Sequence, residues 1–376
     1  MGSSWQGFWG AGAPAQVLEG AAVRSNWNRS AAPLASSSVE LAASAFGELG
    51  VTHVRIDLDW ARIEPFAGRY DYGYLESLDQ RISELKEAGL VVWLSLQQES
   101  LPGWFSEDTD GFALPGAPSI HWSRHVDTMA ERFDDAAGAW LPFIDPIGWA
   151  VRTAHLGELP PFRRSSLESD RFRHHVEGAF DALAEAQRLL ASGSTTTVGA
   201  FRIPAVQGPE SERSYWRRLF SESWIRAITE GVLEWPWRAA IERRDLADAF
   251  DAIAVVADSP FVVDEHGALQ REAQPPTDEL GRSHDSTRLD EPLHLLHERI
   301  DHPLVVMNLG VATADDEWRA ASLERWLEQI TAAVADGVAV SGVFLEPFVD
   351  TESTNWGIVT RDGSPKPSYR WIEAQR

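Results

Sequence analysis

Short apolar runs alternate with amphipathic stretches along nearly the whole chain. The helical spacing of apolar positions predicts helices at residues 39–50, 74–89, 174–191 and 323–337, and three of these stretches end at a glycine, which helix C-termini prefer. Eight strands that alternate with helices predict an α/β fold, a single (β/α)8 TIM barrel with elaborated βα loops that spans residues 1–376. The predicted strands lie at residues 7–10, 52–58, 90–96, 139–144, 197–203, 252–258, 304–308 and 341–346.

Polar side chains recur where these predicted strands end. In such barrels the catalytic groups come from the C-terminal ends of the strands, where the βα loops gather over one mouth. A polar stretch at residues 271–292 predicts a long excursion loop near that mouth. The strand ends carry these side chains: Asp57, Gln97, Gln98, Asp145, Arg202, Asp258, Asn308 and Glu346.

Composition narrows the classes of partner. The chain has 376 residues, with 57 acidic against 33 basic side chains and a net charge of −24. Such a chain repels phosphate backbones and anionic lipid surfaces, so we expect neither nucleic-acid nor membrane partners. No apolar run reaches the roughly 18 residues of a membrane span, and the N-terminus lacks a basic segment followed by an apolar one. We therefore expect a cytoplasmic protein, while the sequence leaves its oligomeric state open.

Several kinds of site are disfavoured. The absence of cysteine excludes thiolate metal sites and cysteine nucleophiles, and there is no glycine-rich phosphate loop or GxSxG motif. His121 and His125 have the i, i+4 spacing of a metal pair but lack an evident third ligand, so we expect a surface helix there. The remaining histidines singled out are also interpreted as surface or loop residues: His174, His175, His294, His297 and His302. We expect no metal and no cofactor.

Several long stretches resemble one enzyme family. Residues 50–105, 131–162 and 304–347, with the C-terminal "WGIVTRDGSPKPSYRW" that begins at Trp356, are similar to glycoside hydrolase family 1, the β-glucosidase-like retaining glycosidases. The resemblance covers almost the entire chain and implies the barrel fold. It also implies a small-molecule substrate held at the barrel mouth.

The catalytic motifs of that family are matched only in outline. The acid/base glutamate of an Asn-Glu-Pro triplet corresponds here to Asp145, which lies between Ile144 and Pro146. The nucleophile of a Thr-Glu-Asn-Gly stretch corresponds to Asn308. Because a retaining glycosidase needs two carboxyl groups about 5–5.5 Å apart, one of them the nucleophile, an amide at this position makes the ordinary two-step mechanism improbable.

The sugar-binding residues that the resemblance implies are changed as well. The expected histidine appears as Gln98, and its neighbouring tryptophan appears as Glu99. The sixth-strand ligands read Val256-Ala257-Asp258, and the tryptophan after the eighth strand appears as Glu346. The remaining correspondences are Gln16 or Val17 for the first-strand glutamine, and Ser353 and Thr354 for the Glu-Trp pair.

Arg55, which supports the nucleophile in that family, needs another anion here. The nearest candidates in the sequence are Asp57 and Asp145. Carboxylates newly placed at the mouth, Glu99, Asp258 and Glu346, are consistent either with chance in an acidic chain or with a rebuilt acid–base site.

Three functions follow as hypotheses. The first is a repurposed enzyme that uses Asp145 with Glu346 as acid–base carboxylates on a glycosylated or hydrophobic, polycyclic small molecule. In that enzyme Asn308 would be a third catalytic residue, a hydrogen-bond donor that orients the substrate or stabilises developing negative charge. The substrate-binding residues would include Arg55, Gln98, Glu99, Asp258, Ile144, Gln16 and Trp356. The second is an inverting or substrate-assisted O-glycoside hydrolase, and the third is a ligand-binding protein without catalysis.

Overall fold

The eight predicted strands form one parallel sheet, a nearly closed (β/α)8 barrel. The computed structural model describes residues 5–12, 14–15, 19–29, 43–107, 110–114, 116, 118–284, 287–351 and 355–374. The barrel strands are β1 Phe8–Ala11, β2 His53–Asp57, β3 Val91–Ser95, β4 Ala139–Leu141, β5 Val198–Phe201, β6 Ala252–Val256, β7 Leu304–Leu309 and β8 Val340–Leu345. The sheet order is β4-β3-β2-β1-β8-β7-β6-β5, and the predicted TIM-barrel class is confirmed.

Helices and short turns of helix connect these strands. The four helices predicted from periodicity are present where the structure describes them, with ends shifted by up to seven residues, and Ala43–Glu48 is the described part of the first. The α-helices are Asn26–Arg29, Ala43–Glu48, Trp60–Ile63, Tyr72–Glu87, Gly103–Ser106, Ser123–Phe133, Pro146–Ala150, Asp170–Leu190, Glu210–Arg217, Ser223–Glu230, Asp290–Arg299, Asp316–Ala335 and Pro367–Ala374. The 3-10 turns are Gly111–Ala113 and Arg244–Leu246, and the π-helical turns are Pro118–Trp122, Val151–Leu156 and Arg218–Glu222.

Short strands outside the barrel form two small sheets. Phe261–Val263 pairs antiparallel with Leu269–Arg271 and parallel with Val206–Gln207, and Val232–Leu233 pairs antiparallel with Ile241–Glu242. The predicted excursion at residues 271–292 begins at the end of one of these strands. Its described part is crossed by an antiparallel bridge between Thr277 and Ser283 and ends in the helix that starts at Asp290.

Contacts within the chain divide it into two compact units. The N-terminal unit comprises residues 12–200, and the C-terminal unit comprises residues 1–11 and 201–376. In the N-terminal unit, the indole N–H of Trp122 donates to the carbonyl of Ala182 at 2.7 Å. Gly178 lies so close to the Phe112 carbonyl that an added Cβ would come within 1.7 Å of it. The helix Asp170–Leu190 is thereby held tightly against an aromatic core.

In the C-terminal unit, aromatic rings on neighbouring strands lie over glycines. Phe8 of β1 pairs with Gly342 of β8, and Gly10 pairs with Phe344. A Cβ added to either glycine would lie about 2.3 to 2.5 Å from the facing ring, so each glycine makes room for a phenylalanine. The two rings meet edge to face with centroids 5.6 Å apart. This packing sets the register between β1 and β8, the strand that leads to Glu346.

Candidate functional site

Asn308 lies in an irregular part of β7, in the C-terminal unit. The register between β7 and β8 shifts between Val306 and Leu309, and Asn308 has φ 64°, a left-handed conformation that asparagine tolerates better than most residues. Its side-chain Nδ2 donates to the carbonyl of Ala257 at 2.7 Å. One of its two side-chain N–H groups is therefore used to tie β7 to the end of β6.

Glu346 places a carboxylate next to Asn308. Its Oε2 accepts a hydrogen bond from the backbone N–H of Asn308 at 3.2 Å, and its own N–H donates to Leu309 at 3.2 Å. The residue is only 2% exposed. Gly310 lies against the Glu346 carbonyl, which an added Cβ would approach within 2.4 Å. Asn308, the neutral residue near the end of β7, thus has a buried acid beside it, and this acid directly follows β8.

Asp258 is held in a buried ion pair. Its carboxylate contacts the guanidinium of Arg202 and accepts from Arg271 at 2.7 Å and from the backbone N–H of Ser259 at 2.8 Å. Burial alone would raise the pKa of Asp258, but the two arginines outweigh it and hold the pKa far below the ordinary value. Asp258 therefore stays ionised, and its oxygens are occupied by protein donors.

A second acidic centre organises the described part of the excursion loop. Asp278 is hydrogen-bonded to the ring Nε2 of His284 at 2.9 Å and accepts a hydrogen bond from Nε of Arg282, also at 2.9 Å. Burial opposes ionisation of Asp278, yet these two partners lower its pKa well below the usual range. The guanidinium of Arg282 lies over the ring of Trp356, 5.3 Å from its centroid. Trp356, which the sequence predicts as a substrate-binding residue, therefore contacts the excursion loop.

Arg55, in the N-terminal unit, has Asp57 as its anionic partner. One guanidinium nitrogen of Arg55 contacts Asp57 and also donates to Gln98 Oε1 at 3.0 Å. Asp57 further accepts from the hydroxyl of Ser95 and from the backbone N–H of Ala15 at 3.1 Å. Burial raises the pKa of Asp57 in opposition to these three donors. Asp57, one of the two partners expected for Arg55, is therefore in contact with it.

Glu99 forms an ion pair of its own. Arg152 donates to Glu99 Oε1 at 2.6 Å and to Glu158 Oε2 at 3.2 Å. These side chains are half-buried, and Glu99 adds to the negative charge that raises the pKa of Asp57. Gln98 and Glu99 are therefore attached to different arginines, although they are neighbours in the chain.

Asp145 caps the helix that follows it. It is 4% exposed, has φ 54°, and its Oδ1 accepts from the backbone N–H of Gly148 at 3.1 Å. The short aspartate side chain suits this role, because N-caps favour aspartate and asparagine. Gly148 is required for it, since a Cβ there would lie 1.9 Å from the other carboxylate oxygen. Ile144, the preceding residue, is buried and bridges to Ala200 of β5.

The expectation of surface histidines was wrong for two residues. His125 is fully buried and stacks on Trp60, with ring centroids 4.7 Å apart, and burial lowers the pKa of His125 to about 3. His175 is buried against Trp149, and burial likewise lowers its pKa. Aromatic packing overrode the polar pattern that suggested a surface. Among the described residues, no group of three or more potential ligands is placed to hold a metal ion.

Three predicted positions have no structural account here. Gln16 with its alternative Val17, and the pair Ser353 and Thr354, lie outside the described residues.

The tryptophans are mainly structural, since twelve of the seventeen are buried. In the part of the chain that the structure describes, no helix has the length and apolar character needed to cross a bilayer.

The sequence predicted the positions of the charged site residues better than their ion-pair and hydrogen-bond partners. Arg202 was recognised at a strand end, but Arg271, which completes the Asp258 ion pair, carries no signal in the sequence. Arg152 and Ser95 were also missed as partners of Glu99 and Asp57. A charged residue's partner is set by which loops meet, and residue spacing alone does not reveal it.

In sequence, the chain is similar to several glycosidases. A glycoside hydrolase family 42 model, described as beta-galactosidase, matches residues 34–112. A 6-phospho-beta-glucosidase of Dickeya chrysanthemi is 22% identical over 79% of this chain and 72% of its own length. A phospho-cellobiase of Klebsiella oxytoca is 22% identical over 84% of this chain and 73% of its own length.

Solved structures show the same fold. The AHE enzyme from Alicyclobacillus herbarius has a TM-score of 0.83 at 18% identity, covering 100% of this chain and 99% of its own. A beta-glycosidase from Pyrococcus horikoshii has a TM-score of 0.81 at 19% identity, covering 100% of this chain and 96% of its own. A family 1 β-glucosidase from Thermotoga maritima has a TM-score of 0.80 at 18% identity, covering 99% and 98%. The chain thus has the fold of these glycosidases and resembles two phospho-glycosidases in sequence, and assignment to family 1 stays a prediction.

Proposed function

We propose that this chain is an acid–base enzyme on a glycosidase fold, with Glu346 as the carboxylate that does the chemistry beside Asn308. Its substrate would be a glycosylated or hydrophobic, polycyclic small molecule. The observation that carries the proposal is the buried Glu346 carboxylate, 3.2 Å from the backbone nitrogen of Asn308. A proton donor or acceptor must lie within hydrogen-bond reach of the substrate atom, and burial keeps water away from such a group.

The ordinary retaining reaction lacks its attacking atom at Asn308. An amide carries no charge to stabilise an oxocarbenium-like transition state and is a poor nucleophile, so it cannot replace the carboxylate that retention needs. The hydrogen bond from Asn308 to Ala257 supports an orienting role for this amide instead. We therefore assign Asn308 to positioning and Glu346 to proton transfer.

The proposed substrate follows from the loss of sugar ligands. Ile144 and Val256 are buried apolar residues where the resemblance implies polar ones, and Asp258 is occupied by two arginines. A pyranose needs directed hydrogen bonds, and a site without them selects against it. A flat, less polar molecule with or without a sugar attached fits these replacements better.

Asp145 is the second carboxylate of the proposal, and its pairing with Glu346 stays a prediction from the sequence. The carboxylate of Asp145 accepts from Gly148, which fixes its direction but uses one of its oxygens. Asp145→Asn keeps a good N-cap while removing the acid, so this variant separates the two roles.

The decisive experiment compares turnover in Glu346→Gln and Glu298→Gln. The substrates tested are aryl β-glycosides, glycosylated polycyclic phenols and aryl 6-phospho-β-glucosides. The last are included because the two relatives in sequence are named for phosphorylated substrates. The amide oxygen introduced by Glu346→Gln can still accept from Asn308, so the fold is preserved while a general acid–base worth roughly 10²–10⁴-fold is lost. Glu298 lies exposed on the helix Asp290–Arg299, so its variant should match the parent. Equal turnover in both variants would remove Glu346 from catalysis.

Glycoside hydrolysis is the second candidate, favoured by the same carboxylate beside the nucleophile position. Treatment with 2-deoxy-2-fluoro glycosides followed by peptide mass spectrometry tests for a covalent adduct. An adduct on Glu346 would identify a displaced nucleophile and favour a retaining hydrolase over the proposed chemistry. Hydrolysis without an adduct and with inverted anomeric configuration, followed by NMR, would favour the inverting mechanism.

A protein that binds without catalysis is the third candidate. In that case no substrate of the panel would be turned over. Ligand affinity, measured by calorimetry, would also be unchanged when Asp145→Asn and Glu346→Gln are combined. A marked loss of affinity in that double variant would place the carboxylates in direct contact with ligand and contradict a purely apolar binding role.

A further inference from the structure

A cavity in the C-terminal unit is lined by apolar residues and by three arginines. It has a volume of about 340 Å³ and lies between residues 203–206, 213–221 and 288–295. Its lining includes the apolar residues Phe220 and Leu295. Three arginines, Arg213, Arg217 and Arg288, also line it, against one acidic residue, Glu291.

These arginines are weakly neutralised by the protein. Within the described residues, Arg288 is exposed and makes no ion pair, and Arg217 is paired only with Glu210, at 3.6 Å. Arg213 contacts Glu210 as well, but its Nε is buried and has no hydrogen-bond partner in the described part of the chain. The carboxylate of Glu210 is therefore shared by Arg213 and Arg217, while Arg288 has no ion-pair partner among the described residues. In a chain of net charge −24, such a cluster is the reverse of the average surface.

The size and lining of the cavity define what it can hold. Small-molecule sites have volumes of about 300–1,000 Å³ and are mostly apolar with a few convergent polar groups. Guanidinium groups bind carboxylates and phosphates through paired hydrogen bonds. We propose that this cavity binds a small amphipathic anion, with an aromatic or alicyclic body against Phe220 and Leu295 and a carboxylate or phosphate on Arg217 and Arg288.

The site adjoins the Asp258 ion pair. Ile203 in the cavity wall follows Arg202, which contacts Asp258, and Arg288 follows Thr287, whose hydroxyl donates to the Asp258 carbonyl at 3.4 Å. The proposal does not depend on the acid–base role of Glu346. A binding measurement tests it without any turnover.

Isothermal titration calorimetry of the full chain tests the site with four probes. They are 2-naphthyl phosphate, 2-naphthoate, uncharged 2-naphthol and inorganic phosphate. We expect 1:1 binding of both naphthyl anions, at least about tenfold tighter than 2-naphthol or inorganic phosphate. The reason is that 2-naphthol lacks the anionic group and inorganic phosphate lacks the aromatic body. Raising the salt concentration should weaken the anions and leave 2-naphthol unchanged.

Variants locate the binding. Arg217→Gln and Arg288→Gln should each weaken 2-naphthyl phosphate by about tenfold, as expected for one charge-assisted contact. Arg218→Gln is the matched control, because Arg218 is the next residue along the chain, pairs with Glu234 and does not line the cavity. Leu295→Ala should weaken 2-naphthyl phosphate but not inorganic phosphate. The proposal is overturned if 2-naphthol binds as tightly as 2-naphthyl phosphate, or if the Arg217 and Arg288 variants bind like Arg218→Gln.

Discussion

Substitutions at Asp145 should separate capping from charge. The carboxylate accepts from Gly148 at 3.1 Å, and the residue has φ 54°. Loss of an N-cap to alanine costs about 1 kcal/mol. Left-handed backbone costs roughly 1–2 kcal/mol for an ordinary L-residue and less for aspartate or asparagine, so alanine should lose about 1 kcal/mol more. Asp145→Ala should therefore lower the free energy of unfolding by about 2 kcal/mol.

Two further variants distinguish the contributions. Asparagine caps as well as aspartate and tolerates φ > 0, so Asp145→Asn should stay close to the parent. Glycine loses only a few tenths of a kcal/mol as a cap and is relaxed at this φ, so Asp145→Gly should fall between asparagine and alanine. The expected order of stability is Asn and Asp together, then Gly, then Ala.

Urea unfolding followed by tryptophan fluorescence measures this order, and hydrogen exchange reports on the cap itself. The Gly148 amide should exchange faster in Asp145→Ala than in Asp145→Asn, because only asparagine keeps an acceptor for it. If Asp145→Asn were as unstable as Asp145→Ala, ionisation of the carboxylate would be the stabilising feature, and the capping explanation would be refuted.

Two other predictions concern buried charge. Burial lowers the pKa of His125 from 6.5 to about 3, so below pH 6.5 the unfolded chain binds more protons than the folded chain. The folded state therefore loses stability as the pH falls below 6.5. The loss from this one histidine is about 2 kcal/mol between pH 7 and pH 5. His125→Phe should flatten the pH dependence of urea unfolding by that amount, and an unchanged slope would contradict it. Arg202→Met should destabilise the fold at pH 7 by roughly 3–5 kcal/mol, because Asp258 stays buried with one arginine fewer. Arg188→Met, at an exposed pair, should cost at most about 1 kcal/mol, and equal effects in the two variants would show that burial of the Asp258 pair is unimportant.

The sequence was sufficient for the architecture. All eight strands lie within a few residues of their predicted positions, from Phe8–Ala11 to Val340–Leu345, because buried parallel strands require continuous apolar runs and the intervening helices require apolar positions at helical spacing. The polar residues at the strand ends could also be identified, since chain order in a barrel places them at one edge. These features depend on local patterns that the chain carries in consecutive residues.

What only the tertiary structure decided is the state of each polar group. Asp57, Asp258 and Asp145 look alike in the sequence, yet one supports Arg55, one is shared by two arginines and one caps a helix. His125 follows the same principle, since stacking on Trp60 places it in the core. The sequence by itself determined where the carboxylates lie along the barrel strands. Their partners, burial and protonation were decided in three dimensions, because electrostatic interactions depend on distance and solvent access between residues far apart in the chain.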